Sequence, residues 1–259
     1  MNPEVRVYKD LEYLSRAAAQ LFFDQAEQAA HERGRFFAAL NGGSTPMRLF
    51  QLLAEDRSRK IDWTLTHLFW GDERCVPPND AESSYGQSRE LLLDHVKIPD
   101  ENVHRILGEL GPIEASKDYA HVLKQFASPP LDWPCFDLVL LGMGEDGHTA
   151  SLFPGSPVEA AGPTLAITAH YQDRPTERVT LTPSVFNSAR MVLFMIVGEN
   201  KALTLSKVLN DTHQPELYPA QRIDPKDGML IWLVDEAAAS KLPMKLIKTE
   251  RIVKGKETK

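Results

Sequence analysis

The chain has 259 residues, 42% of them hydrophobic and 25% charged, enough apolar material for a sizeable core and ordinary for a globular protein. A formal net charge of −7 argues against nucleic acid as the main partner, because phosphate backbones select basic surfaces, yet it leaves room for a small anion in one local basic pocket. Two cysteines, Cys75 and Cys135, cannot build a disulfide framework or a thiolate metal site, no window approaches the roughly 18 apolar residues of a membrane helix, and Met1 to Arg6 has no signal core, so a reduced, cytoplasmic setting with no membrane partner is expected.

Leu11, Leu14, Ala18, Leu21 and Phe22 recur at helical spacing, which predicts an amphipathic helix near residues 10–33, ended by Gly34. Phe36 to Leu40 reads as a short apolar strand, followed by the loop Asn41 to Thr45. Pro46 suits a first helical position, with Ser44 or Thr45 as the cap and a helix running to about Ala54. A second strand, Leu65 to Trp70, leads into Gly71-Asp72-Glu73-Arg74. Helices follow near 84–95 and 113–126, and Phe136 to Leu141 is a third core strand. Val179 to Leu181 reads as a short strand, and Val192 to Val197 as a clear one ending at Gly198. A helix over 201–209, a last strand over 229–234 and a helix over 235–239 complete the series.

Strands alternate with helices throughout. The expected fold class is therefore α/β, a Rossmann-like, mostly parallel sheet with helices on both faces. Right-handed crossovers then bring the carboxyl ends of all strands to one side, where ligands bind. No repeat or low-complexity linker interrupts residues 10–240, so one domain is expected over 1–240. Residues 241–259 carry seven Lys or Arg against two Glu and read as a basic, solvated C-terminal tail.

The most informative stretch runs from Leu140 to Gly155. Gly142, Gly144 and Gly147 follow an apolar strand and enclose the ionisable pair Asp146 and His148. His148 is the candidate general base, since a neutral imidazole with an ordinary pKa of about 6.5 can take a proton from water and return it. Asp146 stands two residues away, where it can orient the ring or stabilise its cation. Three further strand-end turns join this one. Gly42, Gly43, Ser44 and Thr45 form a glycine loop entering a helix, with backbone N–H groups and hydroxyls suited to a phosphate. Arg74 offers a planar fork for phosphate, and Lys201 a point charge. Asp72 reads either as a second carboxylate in the pocket or as the partner of an arginine that shapes the turn. Arg178 either touches phosphate or braces a loop. Glu73 and Glu145 read as solvated or structural, and Asn200 as a cap for the helix that carries Lys201. An oxyanion would take its hydrogen bonds from loop N–H groups near Gly144 or from a cationic side chain. His31, His67, His95, His104, His121, His170 and His213 show no metal-ligand spacing, and no metal or cofactor is expected.

Gly142-Met143-Gly144-Glu145-Asp146-Gly147-His148-Thr149-Ala150-Ser151-Leu152-Phe153-Pro154-Gly155 resembles the signature of the 6-phosphogluconolactonase family. Asn41 to Pro46, Gly71 to Pro77 and Gly198 to Ala202 resemble that family's other turns, in the family's order, with Pro219-Ala220 as a weaker match. The resemblance implies hydrolysis of 6-phospho-glucono-1,5-lactone in the oxidative pentose phosphate pathway. It also implies a fold shared with glucosamine-6-phosphate deaminases, a phosphosugar lactone as ligand, and phosphate-binding roles for the matching turns. A monomer or small homo-oligomer is expected. One departure is visible: where the family shows Ser-Asn, Ser84 is followed by Tyr85. A deaminase is the first alternative, but Thr149 to Pro154 resembles lactonases, and the deaminase turn has tyrosine at the Arg74 position. A non-catalytic sugar-phosphate sensor is the second, and no spare segment of the size of a partner module is evident for it.

Overall fold

The structure is a computed structural model and describes residues 4–55, 61–157, 160 and 162–248. The first strand, β1 (Glu4–Tyr8), leads into α1 (Leu11–Arg33). The Asp10 carboxylate caps α1 by accepting from the Tyr13 N–H at 3.1 Å. Gly34 ends α1 with a left-handed φ of 70°, its N–H donating to the Ala30 carbonyl. Next come β2 (Phe36–Leu40), α2 (Ser44–Glu55), β3 (Thr66–Trp70), β4 (Asp72–Arg74), α3 (Ser84–Leu91), β5 (Val103–His104) and α4 (Pro112–Gln125). The second half holds β6 (Leu138–Leu141), β7 (Thr164–Thr168), β8 (Glu177–Leu181), α5 (Pro183–Asn187), β9 (Met191–Ile196), α6 (Ala202–Asn210), β10 (Met229–Asp235), α7 (Glu236–Ala239) and β11 (Ile247–Lys248).

The main sheet has eight strands in the order β11-β1-β10-β9-β6-β2-β3-β5, and every pairing in it is parallel. Strands β2, β6 and β9 are buried at every residue, as expected of a parallel sheet covered on both sides. Phe36 and Phe37 show the two faces. As neighbours on β2 they point in opposite directions. Phe36 meets Phe22 of α1 edge-on at 5.2 Å, while Phe37 meets Phe126, at the end of α4, at 5.7 Å. The expected α/β architecture with helices on both faces is therefore what the chain adopts.

The sequence reading differs from the structure in several places. β1, β4, β5, β7 and β11 were not expected. The predicted helix over 84–95 stops at Leu91 and continues after Leu92 as a single 3₁₀ turn, Leu93–His95. A second, antiparallel sheet, β4-β8-β7, stands apart from the main one. Gly71 is the pivot between the two. Its N–H continues the main sheet by donating to the Leu40 carbonyl, and its carbonyl accepts from Leu181 of β8. Within the stretch from residue 241 read as a tail, Ile247 and Lys248 pair with Val5 and Arg6 at the sheet edge. The rest of that expected tail, residues 249–259, lies outside the described residues.

Two histidines occupy the far side of the sheet from α1. His67 on β3 and His104 on β5 are stacked with a ring angle of 7°, and Nδ1 of one lies 3.1 Å from Nε2 of the other. His104 also stacks on Phe69 at 4.4 Å. Burial, helped by His67, pushes the His104 imidazole down to about 4. Burial and the Arg35 charge lower His67 as well. Both groups prefer the neutral form when folded, so between about pH 4 and the ordinary 6.5 the unfolded chain binds more protons than the folded one. Stability from this pair is complete above that window and declines as pH falls through it. Thermal melts should show the transition temperature dropping across this range, with a visibly shallower slope in His104→Phe; an unchanged slope would remove the pair as the cause.

Candidate active site

Four adjacent strands, β9, β6, β2 and β3, end in the four turns singled out in the sequence. A cavity of about 330 Å³ opens where they end, and nine of the ten predicted site residues line it. The tenth, Asp146, lies directly behind His148.

The catalytic turn follows β6. Asp146 Oδ1 accepts from His148 Nδ1 at 2.6 Å and from the His148 backbone N–H at 3.1 Å. With Nδ1 committed to the carboxylate, Nε2 is the nitrogen left to act as a base. Burial raises the Asp146 carboxyl, but its hydrogen bond to His148 and that residue's charge outweigh this and hold it below the ordinary carboxylate range. The imidazole is packed between Phe153 at 4.5 Å and Tyr171 at 4.6 Å. Gly144 lies against its Nδ1 edge: a Cβ there would sit 2.2 Å from His148 Nδ1 and Cε1 and 2.8 Å from Asp146 Oδ1. The motif therefore needs glycine at 144 for close approach. Among the loop N–H groups near Gly144 that were considered as oxyanion donors, that of Gly144 itself is engaged with the His148 carbonyl at 2.9 Å.

Strand β4 explains the alternation of roles in Asp72-Glu73-Arg74. Successive side chains point to opposite sides, so Asp72 and Arg74 face the cavity and Glu73 faces away. Glu73 accepts from the backbone N–H groups of Arg74, Ser84 and Tyr85 and from the Ser83 hydroxyl, at 2.7–3.0 Å. It is a structural anchor at the N-terminus of α3, although burial pushes its carboxyl upward. Asp72 does not form the arginine pair considered above. Its Oδ2 accepts from the Ser151 hydroxyl at 2.7 Å, which ties β4 to the catalytic turn. Tyr85, the departure from the family pattern, packs on Trp70 at 5.4 Å and does not line the cavity.

Arg74 and Arg178 are direct cross-strand neighbours in the β4–β8 ladder. Both are buried, with 7% and 3% of their surface exposed. Two like charges side by side are unfavourable without a counter-ion. Arg178 Nε donates to the Pro175 carbonyl, and its guanidinium lies over Phe153 at 5.3 Å. Its Nη2 and Arg74 Nε are buried with no hydrogen-bond partner among the described residues, so both retain donor capacity beside the cavity. Burial lowers the Arg178 pKa from its ordinary value, with Arg74 and Arg174 acting in the same direction and the Asp72 and Glu82 carboxylates opposing it.

The glycine loop differs in detail from expectation. Ser44 and Thr45 are not caps but open α2 themselves, so their N–H groups belong to the unpaired first turn. Gly43 has the left-handed φ of 97° that glycine permits, and its N–H donates to Gln87 Oε1 at 3.2 Å rather than standing free. Gly42 approaches α3 closely, since a Cβ there would lie 2.2 Å from Ser84 Oγ. On the opposite wall the backbone N–H of Lys201 donates to the Gly198 carbonyl at 3.2 Å, while its side chain has no hydrogen bond or ion pair among the described residues. Burial lowers its pKa against the opposing fields of Glu145 and Asp235. Asn200 is not the expected helix cap. Its amide donates to Glu145 Oε1 at 2.7 Å and so joins this turn to the catalytic one.

The known protein family described as glucosamine-6-phosphate isomerases/6-phosphogluconolactonase matches residues 9–232. The chain belongs to this family. A relative named 6-phosphogluconolactonase from Nostoc sp. is 36% identical over 244 residues, covering 93% of this chain and 99% of the relative. One of the same name from Haemophilus influenzae is 39% identical over 201 residues, covering 77% and 84%. The solved 6-phosphogluconolactonase of Thermotoga maritima superposes with a TM-score of 0.79 at 30% identity, covering 90% of this chain and all of the other. A solved glucosamine-6-phosphate deaminase also superposes, with a TM-score of 0.80 at 20% identity over 92% of this chain and 99% of the other, a likeness of fold alone.

Sequence reasoning missed Tyr171, Gln172 and Arg174, which reach the cavity from the loop between β7 and β8. No motif marks that loop, because its place depends on a hairpin in the second sheet. Ser151 stood inside the quoted signature, but only the unexpected strand β4 brings Asp72 to it. A direct test of the packing at the base is Gly144→Ala. The added methyl should displace His148 and reduce kcat by roughly 10²-fold or more, approaching loss of the base itself. Circular dichroism should remain native, since Gly144 does not have a positive φ. Full activity in this variant would show that the imidazole has another productive position.

Proposed function

We propose that this chain hydrolyses 6-phospho-D-glucono-1,5-lactone to 6-phospho-D-gluconate in the oxidative pentose phosphate pathway. The observation that carries the reading is the juxtaposition of an Asp146-oriented His148 with two buried, incompletely paired arginines in one cavity. The named relatives and the family membership support it.

In the reaction, His148 Nε2 takes a proton from water as the water oxygen bonds to the lactone carbonyl carbon. Asp146 stabilises the resulting imidazolium. The carbonyl oxygen gains the negative charge, which a cavity cation not engaged with the phosphate stabilises. The bond from that carbon to the ring oxygen then breaks, and the ring oxygen receives the proton from His148. The product acid ionises at neutral pH, so each turnover releases one proton. A lactone carbonyl is already electrophilic, and general acid–base help worth about 10²–10⁴-fold is adequate without a metal ion. Asp72, held by Ser151, positions sugar hydroxyls or the attacking water. The first turn of α2, Arg74, Arg178 and Lys201 hold the phosphate. The free thiols of Cys75 and Cys135 fit a reduced, cytoplasmic setting.

The test is proton release after adding freshly made 6-phospho-glucono-1,5-lactone in chelator, against the spontaneous rate. Acceleration is expected, and its absence would overturn the reading. His148→Ala should lower kcat by about 10²–10⁴-fold with little change in KM. Arg74→Ala and Lys201→Ala should each reduce kcat/KM for the phosphorylated lactone by roughly ten- to a hundredfold. The loss on unphosphorylated glucono-1,5-lactone should be much smaller. Equal losses on both substrates would separate these cations from the phosphate.

A further inference from the structure

The β7–β8 loop carries Tyr171, Gln172 and Arg174 to the cavity. At one end Tyr171 packs against the imidazole of His148 at 4.6 Å. In the middle Gln172 has a φ of 53°, a left-handed conformation that a non-glycine residue seldom adopts. At the other end Arg174 Nη1 lies 3.5 Å from Glu82 Oε2. That same oxygen lies 3.4 Å from Arg74 Nη1. One carboxylate oxygen thus sits between two guanidinium groups, one on β4 and one in the β7–β8 loop, and both line the cavity. Both separations are longer than the roughly 2.7–2.9 Å of a strong charge-assisted contact. The Arg174 and Glu82 side chains are 39% and 36% exposed, so water can reach the pair and either group can move.

We infer that Glu82 is a displaceable internal counter-ion that sets the affinity of the site for phosphate. In the free enzyme its carboxylate shields Arg74 and Arg174. When the phosphate group of the substrate arrives, it takes the place of that carboxylate and recruits Arg174 as a further ligand. Phosphate offers more charge and three acceptor oxygens where the carboxylate offers two, so the exchange is favourable for phosphate and not for a neutral sugar. Arg74 keeps a second tether throughout, since its Nη1 also donates to the Glu82 backbone carbonyl. Arg174 has no such tether among the described residues, and moves with the loop that carries Tyr171 over the base. Competition from Glu82 weakens substrate and product alike, because both carry the phosphate. Its benefit is release of product, which spends no contact made only in the transition state.

This inference rests on the phosphosugar reading of the site, and the experiment keeps the two apart. Binding of inorganic phosphate and of 6-phosphogluconate is measured by calorimetry for the wild type, Glu82→Gln, Arg174→Gln and the double variant, beside turnover of the phosphorylated lactone. Removing the competing charge in Glu82→Gln should tighten phosphate binding by about three- to fivefold, as expected for an exposed pair. Arg174→Gln should weaken it by about tenfold. In the Arg174→Gln background the gain from Glu82→Gln should shrink to the part that comes from unshielding Arg74, while Arg174→Lys should restore part of the binding. Phosphate binding that is unchanged or weaker in Glu82→Gln would overturn the inference and make Glu82 a plain brace for Arg74. If Glu82→Gln fails to fold, as read from its thermal melt, undiminished phosphate binding by Arg174→Gln would overturn the inference instead. A wild type that binds phosphate but does not accelerate lactone hydrolysis would sink the lactonase reading and leave the counter-ion standing or falling on the binding data.

Discussion

Parallel hydrogen bonding among β9, β6, β2 and β3 is the constraint on which the site depends. Because all four strands run the same way, their carboxyl ends share one edge of the sheet. Residues separated by more than 150 positions, from Gly42 to Lys201, then line one cavity. The chain passes from β2 outward to β3 and β5, then returns to place β6 on the other side of β2. A crevice forms where strand order reverses in this way, and the glycine loop after β2 and the catalytic turn after β6 lie on its two sides. The sheet itself supplies no reacting group. Its buried apolar strands fix the bases of the turns, so that small polar side chains at their tips meet within hydrogen-bonding distance.

The second sheet adds the charge. Antiparallel pairing of β4 with β8 sets Arg74 directly opposite Arg178, an arrangement that costs stability in an empty site. Around it the chain places compensating structure: Glu73 anchored on α3, Asp72 held by Ser151, and Glu82 between Arg74 and Arg174. Each carboxylate is differently committed. Glu73 has all its partners within the protein and faces away from the cavity. Asp72 lines the cavity and is held through one oxygen by Ser151. Glu82 is loosely held at the rim. This gradation, from fixed to displaceable, is what a pocket needs when it must remain folded without an anion and still bind one.

Much of this was legible in the sequence wherever local pattern determined the outcome. The 3.6-residue spacing from Leu11 to Phe22 and the Gly34 stop located α1 almost to the residue. The apolar runs gave β2, β3, β6, β9 and β10 within about two residues, the usual uncertainty of element ends. The short strands were not legible for a physical reason. β4 is the polar triplet Asp72-Glu73-Arg74, and it is a strand only because β8 pairs with it from a hundred residues away. β11 depends in the same way on the edge of β1. The site residues were recognisable by type and motif, but their individual roles were not. The commitment of the Gly144 N–H to His148, the anchoring of Glu73 and the reach of Tyr171 and Arg174 all follow from tertiary placement.

Acid–base chemistry and phosphate recognition are built at different scales in this fold. The orientation of the base is local: Gly144, Asp146 and His148 lie within five residues, and the contacts that set Nδ1 and free Nε2 are made inside one turn. The cavity's cations and donors, the proposed phosphate ligands, are distributed over the first turn of α2, β4, β8, the β7–β8 loop and the residues before α6. A change confined to the turn alters which proton is moved while the ligand class is retained, because the cations stand on other elements. A change in any one cation weakens the ligand without disturbing the base. The scaffold brings the cations together from several elements, and one turn after β6 orients the imidazole among them.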